Sequence, residues 1–395
     1  MSESVASAPS LTDPAFHAGD PYPHYRRWRT DTPIFRDDKA GFWVVTRNAD
    51  VTTLSSNPET FCSKRGVLPA DLTREVSEDM SIIYMDPPRH RKYRTLVRPS
   101  LARRRIASLE PWIRELSRDM LGEMAVDSVS DFVEAVAVPL PIYVIARLLG
   151  VPASDHADFR KWSDAAIEAA TELTPENGEL VAELLVYLQE IVIERRQRPA
   201  DDLISVLVHS EIDGEVIDEQ DLIMFCFTLL VAGNETTRNL LSAGTWALAT
   251  HPDARRALAS DPSGVPVAVE EMLRWESPIA GFMRTATRDV VVRGRDVAEG
   301  DSLLLLYAAA NRDEEVFGND AESFVLTRWP NPHLAFGIGE HFCLGANLAR
   351  LEARIFFEEL LARHPDFELA ADPERFPSTL VRGLSTLPIS LSAAP

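Results

Sequence analysis

Apolar residues recur along much of the chain at the spacing of amphipathic helices. They return every three or four positions in 111–124, in 180–196 and in 347–363, where Leu348, Leu351 and Ile355 share one face. No glycine- or serine-rich linker divides the chain. The pattern therefore predicts a mainly helical protein folded as a single domain over residues 1–395, with a flexible N-terminus over residues 1–18.

One predicted helix is unusually long. No proline occurs between Pro199 and Pro252, and Asp218 is a suitable N-cap residue. We therefore expect a helix from Asp218 to about Thr250, which would span roughly 50 Å at about 1.5 Å per residue. Its first half is apolar, which predicts a central position in the fold.

Alternating or continuous β-branched residues predict a few short strands. Phe42–Thr46 is one candidate, and Val290–Val297 and Ser302–Leu306 are two more, joined through Glu299 and Gly300. The sequence thus predicts a mainly α fold with small β-sheets.

Composition and charge limit the possible functions. Hydrophobic residues make up 45% and charged residues 26% of the 395 residues, as in ordinary globular proteins. A net charge of −21 argues against nucleic-acid binding. The N-terminus lacks the features of a signal peptide, and the longest apolar stretches, Leu222–Gly233 and Leu303–Ala310, are too short to cross a bilayer. We expect a soluble, cytoplasmic protein without a membrane anchor.

The segment Arg89–Arg105 is strongly basic within this acidic chain. It holds eight lysines and arginines and no acidic residue. Such a patch can steer an acidic partner, and it can equally be a solvated helix face. Both interpretations remain open from the sequence.

Cys343 is the most informative residue of the chain. The three cysteines, Cys62, Cys226 and Cys343, are far apart, which fits a reducing compartment rather than a disulfide framework. A lone cysteine is most often a buried structural residue. Cys343, however, lies in a glycine-framed apolar run just before a predicted helix, whose positive N-terminal end favours a thiolate.

That run resembles the haem-binding loop of the cytochrome P450 family, which has Phe, Gly, a basic residue, Cys and Gly at fixed spacings. Phe336, Gly339, His341, Cys343 and Gly345 fill these positions. The resemblance implies haem b bound beside Phe336 and Gly337, with Cys343 as the axial ligand of the iron. A thiolate ligand favours O–O cleavage in this family.

The long helix contains a polar island, Asn234-Glu235-Thr236-Thr237, after the small residues Ala232 and Gly233. By itself it could be a surface turn or a bend caused by hydroxyl groups. It resembles the acid–threonine pair that relays protons to bound dioxygen, which implies that Glu235 and Thr236 are catalytic. Whether Thr237 shares the role is open. The small residues leave room for oxygen and substrate.

Other motifs occur in the family order. Glu271 and Arg274 resemble the buried Glu-x-x-Arg network, a structural feature that supports the cysteine loop. Four cationic side chains resemble the clamp on the haem propionates: His90, Arg94, Arg284 and His341. Arginine suits this task because it can bind a carboxylate through two hydrogen bonds.

The resemblance implies a soluble bacterial-type monooxygenase that takes O₂ and receives electrons from a ferredoxin-type partner docking near Arg89–Arg105. We expect a lipophilic substrate, such as a steroid, terpenoid or branched lipid. Alternatives are an aromatic-acid monooxygenase, a peroxide-driven peroxygenase and a haem protein that binds a ligand without turnover. Pocket walls in this family correspond here to mostly apolar positions: Ile82, Ile83, Val231, Ala232, Ile279, Ala280, Phe282 and Leu384.

Overall fold

The computed structural model describes residues 9–126, 128–169, 174–212 and 214–392, and this part of the chain is mainly helical with small sheets. The predicted fold class is confirmed. The α-helices, in chain order, are α1 Pro14–Ala18, α2 Tyr22–Asp31, α3 Asn48–Ser55, α4 Arg89–Val97, α5 Arg103–Ala107, α6 Glu110–Glu123, α7 Pro139–Leu149, α8 His156–Ala169, α9 Pro175–Gln197, α10 Leu203–Val208, α11 Glu219–Thr250, α12 Pro252–Ser260, α13 Val265–Glu276, α14 Tyr307–Ala310, α15 Glu314–Phe317 and α16 Ala346–Arg363.

The strands are short. In chain order they are β1 Ile34–Asp37, β2 Phe42–Val45, β3 Phe61–Cys62, β4 Val129–Asp131, β5 Glu211–Ile212, β6 Glu215–Val216, β7 Phe282–Ala286, β8 Val290–Val292, β9 Arg295–Val297, β10 Ser302–Leu305, β11 Phe367–Leu369, β12 Glu374–Arg375, β13 Leu384–Thr386 and β14 Pro388–Leu391.

Helix α11 is the central element, as its apolar first half predicts. Asp218 caps it by accepting a hydrogen bond from the backbone N–H of Gln220 at 2.8 Å, and His251-Pro252 ends it. Its first half supplies Leu222 and Leu230 to one core cluster, and its second half supplies residues to another. The two largest clusters therefore contact successive halves of α11. Because both halves are packed in this way, the side chains in the middle of the helix are held in position.

The largest sheet has the strand order β1-β2-β10-β7-β3, in which β2 and β10 run parallel and the other neighbours antiparallel. The prediction of a single strand over Val290–Val297 was wrong, whereas Ser302–Leu305 is a strand as expected. Val290–Val297 is a complete hairpin, β8–β9, because Arg293 and Gly294 both have positive φ, 47° and 74°, and form its turn. Strand β10 pairs with β2 and β7 instead of with this segment.

The predicted flexible N-terminus also needs correction. Leu11 is 1% exposed, and Pro14–Ala18 forms α1. The imidazole Nε2 of His17, itself buried, lies 2.8 Å from the carbonyl oxygen of Leu11. From Leu11 onward the segment is packed against the body of the protein, and residues 1–8 lie outside the described part of the chain.

Candidate active site

The loop before α16 holds Cys343 through backbone contacts. The Cys343 N–H donates to the carbonyl of Phe336 at 2.8 Å, and Gly339–His341 forms a 3₁₀ turn between them. Gly339 has φ of +76°, and a Cβ at this position would lie 2.7 Å from the carbonyl oxygen of Ser55. Only glycine permits both this conformation and this close approach to α3. The loop geometry is thus set by its glycines.

The thiol of Cys343 lies in a recess. The side chain is accessible, yet burial by surrounding protein raises the pKa of the thiol. The backbone N–H groups of Gly345 and Ala346 and the charges of Arg94 and Arg350 act in the opposite direction and favour the thiolate. The group therefore needs a further positive partner to stay ionised, and a metal ion would supply it.

Helix α11 borders an open space near its middle. Ala232 is exposed, whereas Leu230, Asn234 and Glu235 are buried. An exposed position at the centre of a core helix means that a cavity lies beside it. Val231, next to Ala232, and Leu344, next to Cys343, pack against the same core cluster. Helix α11 also packs against α16, the helix that follows Cys343.

The two threonines of the polar island differ in environment. Thr236 is half-buried on the open face, and its Oγ1 donates to the carbonyl of Ala232 at 2.8 Å. Thr237 is 3% exposed and turned into the protein. This difference favours Thr236 over Thr237 as the hydroxyl that can reach a molecule in the open space.

Glu235 lies beside the open face and is held by its own helix. The Nδ2 of Asn239 donates to its Oε1 at 3.5 Å, and Nη1 of Arg238 lies 3.6 Å from its Oε2. Burial raises the pKa of this carboxyl, and the charge of Arg238 partly opposes the shift. Arg238 in turn donates to the carbonyl of Leu384 at 3.2 Å. The carboxyl is thus a buried acid with a cation, Arg238, beside it.

Gly233 does not widen the cavity, contrary to the expectation from the sequence. A Cβ on Gly233 would lie 2.8 Å from Cδ1 of Ile145, which belongs to α7. The glycine is needed for close packing of α7 against α11. Of the two small residues, Ala232 is the one that lies at the open space.

Four cation-forming side chains, those proposed from the sequence as a clamp, come together near the cysteine loop. The rings of His90 and His341 lie 4.1 Å apart, and Arg94 donates to the carbonyl of Phe342. Arg284 is 4% exposed, and its Nη1 donates to the carbonyl of Met283 at 2.6 Å. Within the described residues, none of the four forms an ion pair with a carboxylate.

The charges and the buried hydrogen-bonding groups of this cluster favour binding of an anion. Burial, together with the nearby charges of Arg94 and Arg284, lowers the pKa of His90 to about 4, against the effect of Glu340. The buried Nδ1 of His90 has no hydrogen-bond partner. A ligand with two carboxylates would satisfy these groups. The residues present therefore fit a haem, with its propionates on this cluster and its iron at Cys343.

The network around Glu271 and Arg274 is fully buried. Nε and Nη2 of Arg274 each donate to a carboxylate oxygen of Glu271 at 2.7 Å, and both side chains are 0% exposed. Arg328, which the sequence analysis missed, donates to both oxygens of Glu271 at 3.2 and 3.3 Å. Asn331 donates to the same carboxylate at 3.1 Å. The network therefore fixes the segment that leads to the cysteine loop.

The predicted pocket residues fall into separate groups. Ile82, Ile83 and Val231 belong to one cluster beside the exposed Ala232, and Ile279 and Phe282 are half-buried beside another. Ala280 is 5% exposed and packs in a third cluster. Leu384 is 0% exposed within the core along the second half of α11, away from Ile82 and Ile83.

The sequence analysis missed Val381. It forms an isolated bridge with Ile279 and is half-buried. The adjacent Ala280 N–H donates to the carbonyl of Leu380 at 2.8 Å, which extends the pairing. The only sequence signal for this contact is the apolar pair Leu380-Val381 between Ser378 and Arg382. Val381 is thus a better candidate for the pocket wall on this side than Leu384.

The described residues lack both a membrane-spanning helix and a cluster of metal ligands. No helix there is long and apolar enough to cross a membrane, and no group of three or more His, Cys, Asp or Glu residues there could hold a metal ion. An iron at Cys343 would therefore need ligands from a bound cofactor.

Comparison with known proteins gives consistent matches. The sequence model of the family described as Cytochrome P450 matches residues 265–391. A methyl-branched lipid omega-hydroxylase from Mycobacterium tuberculosis is 38% identical over 363 residues, covering 89% of this chain and 84% of the relative. A steroid C26-monooxygenase from Mycolicibacterium smegmatis is 36% identical over 92% of this chain and 91% of the relative. The solved structure of cytochrome P450 CYP109Q5 from Chondromyces apiculatus has a TM-score of 0.88 at 36% identity, over 97% of this chain and 98% of that one.

Proposed function

Because this chain belongs to the cytochrome P450 family of haem-thiolate monooxygenases, we propose that it hydroxylates a neutral lipophilic molecule. The reaction would use O₂ and electrons from a ferredoxin-type partner. The observation that carries the proposal is the accessible thiol of Cys343 in its recess, beside a cation cluster that has no carboxylate ion pair among the residues that the structure describes.

We assign haem b to this recess. Cys343 would ligate the iron, with Phe336 and Gly337 in the supporting loop. His90, Arg94, Arg284 and His341 would bind the propionates, for which the unpartnered Nδ1 of His90 and the buried Arg284 give support. Charge-assisted hydrogen bonds of this kind are the strong ones in proteins.

Bound haem supplies the activation of dioxygen and the insertion of one oxygen atom into a C–H bond. The residues of this chain donate protons and position the reacting groups. Thr236 has Oγ1 on the open face, where it can accept and pass on a hydrogen bond. Glu235 has a raised pKa, so more of it is protonated near neutral pH than of an exposed glutamate, and it can act as the proton donor.

The lining of the open space favours a neutral substrate. Ile82, Ile83, Val231 and Ala232 are apolar, and an aromatic acid would need a cation to balance its carboxylate. Arg74, in the loop before Ile82, donates to Asp71 at 2.6 Å and to Tyr84 at 3.0 Å and is not free for this task. The names of two relatives, a branched-lipid hydroxylase and a steroid monooxygenase, point in the same direction.

The basic segment near the cysteine loop is our candidate docking surface for the electron donor. Asn347 of α16 donates to the carbonyl of Leu101 at 3.4 Å, which joins this segment to the helix that follows Cys343. Several of its cations are already paired inside the protein: Arg89 with Asp79 and Asp221, Arg91 with Glu340, and Arg105 with Asp201.

Arg98, Arg103 and Arg104 are exposed and have no ion pair within the described part of the chain. We therefore narrow the docking surface to these three arginines. Phe342, which precedes the cysteine, is 40% exposed and is an apolar contact point for the same partner. The three cysteines are unpaired, which supports a cytoplasmic location.

The decisive experiment has two parts. The reduced protein with CO should give the thiolate-type spectrum, and a reconstituted ferredoxin system with a lipophile selected by its spectral shift should give a hydroxylated product. Product formed with hydrogen peroxide alone, at the same rate as with the ferredoxin system, would favour a peroxygenase. The intact Glu235 and Thr236 argue against that outcome. A normal CO spectrum without any product would favour a ligand-binding protein.

A further inference from the structure

A cleft of about 690 Å³ opens where α2 meets the C-terminal ends of α11 and α13 and the β12–β13 hairpin. This volume is within the range of ligand pockets in proteins. Its lining includes Tyr22 of α2, Trp246 of α11 and Arg375 of β12, and no lining residue belongs to the cation clamp or to the cysteine loop. Trp246 lies ten residues beyond Thr236 on α11, which is about 15 Å along the helix axis. The cleft is therefore separate from the proposed catalytic space.

Three aromatic rings line the cleft, those of Tyr22, Trp246 and Trp275. Cζ of Arg312 lies 3.2 Å from the centroid of the Tyr22 ring and 3.5 Å from that of Trp275, so the guanidinium is stacked between the two rings. Cζ of Arg375 lies 4.9 Å from the centroid of the Trp246 ring. Both tryptophans are half-buried, so part of each ring remains accessible. A flat ligand can stack on these accessible parts.

The lining of the cleft holds three buried arginines, of which two share one buried carboxylate. Arg312 and Arg382 are 5% and 7% exposed, and the Arg375 side chain is 10% exposed. The carboxylate is that of Glu276, which is itself 5% exposed. Its Oε1 pairs with Nη1 of Arg375 and lies 3.5 Å from Nε of Arg382. Glu276 therefore balances only part of the positive charge in the cleft.

The charge of Arg312 is incompletely compensated. Its Nη1 lies 3.4 Å from Glu322, but that carboxylate lies only 2.5 Å from Arg29, and its Nη2 donates to the carbonyl of Trp275 at 2.9 Å. Its buried Nε, like that of Arg382, has no hydrogen-bond partner among the residues that the structure describes. Burial lowers the pKa of Arg312, against the effect of Glu322. An anion in the cleft would stabilise this buried cation.

The same groups argue against a cationic or a neutral ligand. Aromatic rings attract cations, but these rings already hold Arg312 and Arg375, which would repel a second cation. A neutral ring would leave the charge of the buried arginines unbalanced. A carboxylate can accept two parallel hydrogen bonds from a guanidinium, and a ring attached to it can stack on a tryptophan. The cleft therefore suits an acid that carries a flat ring.

We propose that this cleft is a second ligand site, which binds an aromatic carboxylate with its ring on Trp246 and Trp275 and its charge toward Arg312 and Arg375. The net charge of the chain is −21, so a cleft that attracts an anion is a local exception on this protein. The site goes beyond the proposed hydroxylation. A lipophilic substrate in the catalytic space and an aromatic acid in the cleft can be bound at the same time.

Isothermal titration calorimetry of the haem-loaded enzyme with 2-naphthoate tests the site. The titration is carried out with and without saturating clotrimazole, an azole that fills the catalytic space. We expect one 2-naphthoate per chain, with the same Kd in both titrations and no change in the haem absorbance. The neutral 2-naphthamide, which has a similar shape, should bind about tenfold more weakly or less, because it lacks the charge. Loss of 2-naphthoate binding in the presence of clotrimazole would overturn the proposal.

Two variants of the cleft should change the affinity in opposite directions. Arg375→Gln should weaken 2-naphthoate binding about tenfold, since a hydrogen bond to a charged group is lost. Asp20→Asn removes an exposed negative charge from the lining and should tighten binding about two- to fivefold. Arg36→Gln is the matched control. Arg36 also lies over a tryptophan, Trp43 at 5.8 Å, and pairs with Asp301 at 3.3 Å, but it is on β1 outside the cleft. Its Kd should equal that of the wild type.

The sign of the Asp20→Asn effect keeps the proposal falsifiable even where Arg375→Gln does not fold. Weaker binding of 2-naphthoate in Asp20→Asn, or an equal Kd for 2-naphthoate and 2-naphthamide, would overturn the assignment of an anion. Inorganic phosphate that binds as tightly as 2-naphthoate would overturn the role of the two tryptophans. A protein without the thiolate-type CO spectrum would refute the proposed function and leave the binding of 2-naphthoate to the cleft as a separate result.

Discussion

The imidazole rings of His90 and His341 lie 4.1 Å apart and are tilted by 34° to each other, although they come from α4 and from the cysteine loop. Oγ of Ser63 lies 3.1 Å from Nε2 of His341, and the Ser63 N–H donates to Asp86 at 2.8 Å. The pKa of His90 is about 4, so its ring is neutral at pH 7 in the absence of an anion. This pair links the N-terminal half of the chain to the cofactor loop.

The clamp makes haem retention sensitive to Arg284. Replacing Arg284 with Gln removes a buried charge that faces the proposed propionates, and we expect haem transfer to apomyoglobin to become about tenfold faster or more. Arg288→Gln is the matched control, since Arg288 is four residues further on, exposed, and donates to Thr60 at 3.1 Å. Equal transfer rates in the two variants would remove Arg284 from the clamp.

Thr236 and Thr237 of α11 should differ in their effect on catalysis. Thr236→Val removes a hydroxyl on the open face, and we expect a clear fall in product formed per electron consumed, with more peroxide released. Thr237→Val changes a buried neighbour that is 3% exposed and should leave this ratio nearly unchanged. Measured coupling efficiency decides between them. A larger loss in the Thr237 variant would assign the role to that residue.

Glu235→Gln should lower product formation and raise the melting temperature at high pH. The folded pKa of this carboxyl is raised by burial, so its stabilising contribution is present below its unfolded pKa of about 4.3 and is lost as pH rises through the folded value. The variant should therefore gain more melting temperature relative to the wild type at pH 8 than at pH 4. Product formation should fall about 10²-fold or more. An equal difference in melting temperature at both pH values would contradict the assigned cause.

Breaking the buried ion pair Glu271–Arg274 should lower the free energy of unfolding far more than breaking an exposed ion pair of the same i, i+3 spacing. Glu271→Gln leaves Arg274 and Arg328 without their carboxylate in the core, and we expect a loss of about 3–5 kcal/mol in unfolding free energy. Arg256→Gln breaks the ion pair with Asp253 on α12, whose side chains are 56% and 96% exposed. It should change stability by less than about 0.5 kcal/mol. Denaturant unfolding of both variants provides the comparison.

Charge reversal on the docking surface should slow electron transfer. Arg103→Glu/Arg104→Glu changes two exposed, unpaired arginines, and we expect slower reduction by the ferredoxin with unchanged substrate affinity, most markedly at low salt. Arg196→Glu is a control on α9, where Arg196 pairs with Glu219 at 2.5 Å. Reduction rates that match the wild type would place the partner elsewhere.

Much of the fold follows from the sequence because its signals are local. The cap at Asp218 and the Pro252 stop define α11, and the glycine-framed cysteine run defines the loop. The hairpin Val290–Val297 was missed because its turn is an Arg-Gly pair with positive φ in a run of valines. Such a turn carries a weaker signal than Asn-Gly or Asp-Gly.

The parts that were missed depend on contacts distant in sequence. Arg328 joins Glu271 across 57 residues, and no spacing rule connects them. Leu384 and Val381 are only three residues apart in the chain, yet one lies in the core and the other beside Ile279. Gly233 lets α7 pack closely against α11 and does not enlarge the cavity. The sequence could not show this, because it depends on where Ile145 lies in the folded chain.

The separation of the clamp residues along the chain has a consequence in the cell. His90, Arg284 and His341 are far apart in sequence, and without an anion the folded chain buries the Arg284 side chain and the Nδ1 of His90 without a partner for that nitrogen, which disfavours the folded arrangement. A cofactor that binds only the folded chain shifts the folding equilibrium by mass action. The amount of enzyme that survives proteolysis should then follow the intracellular haem supply, so that cofactor biosynthesis controls the abundance of this protein as well as its activity.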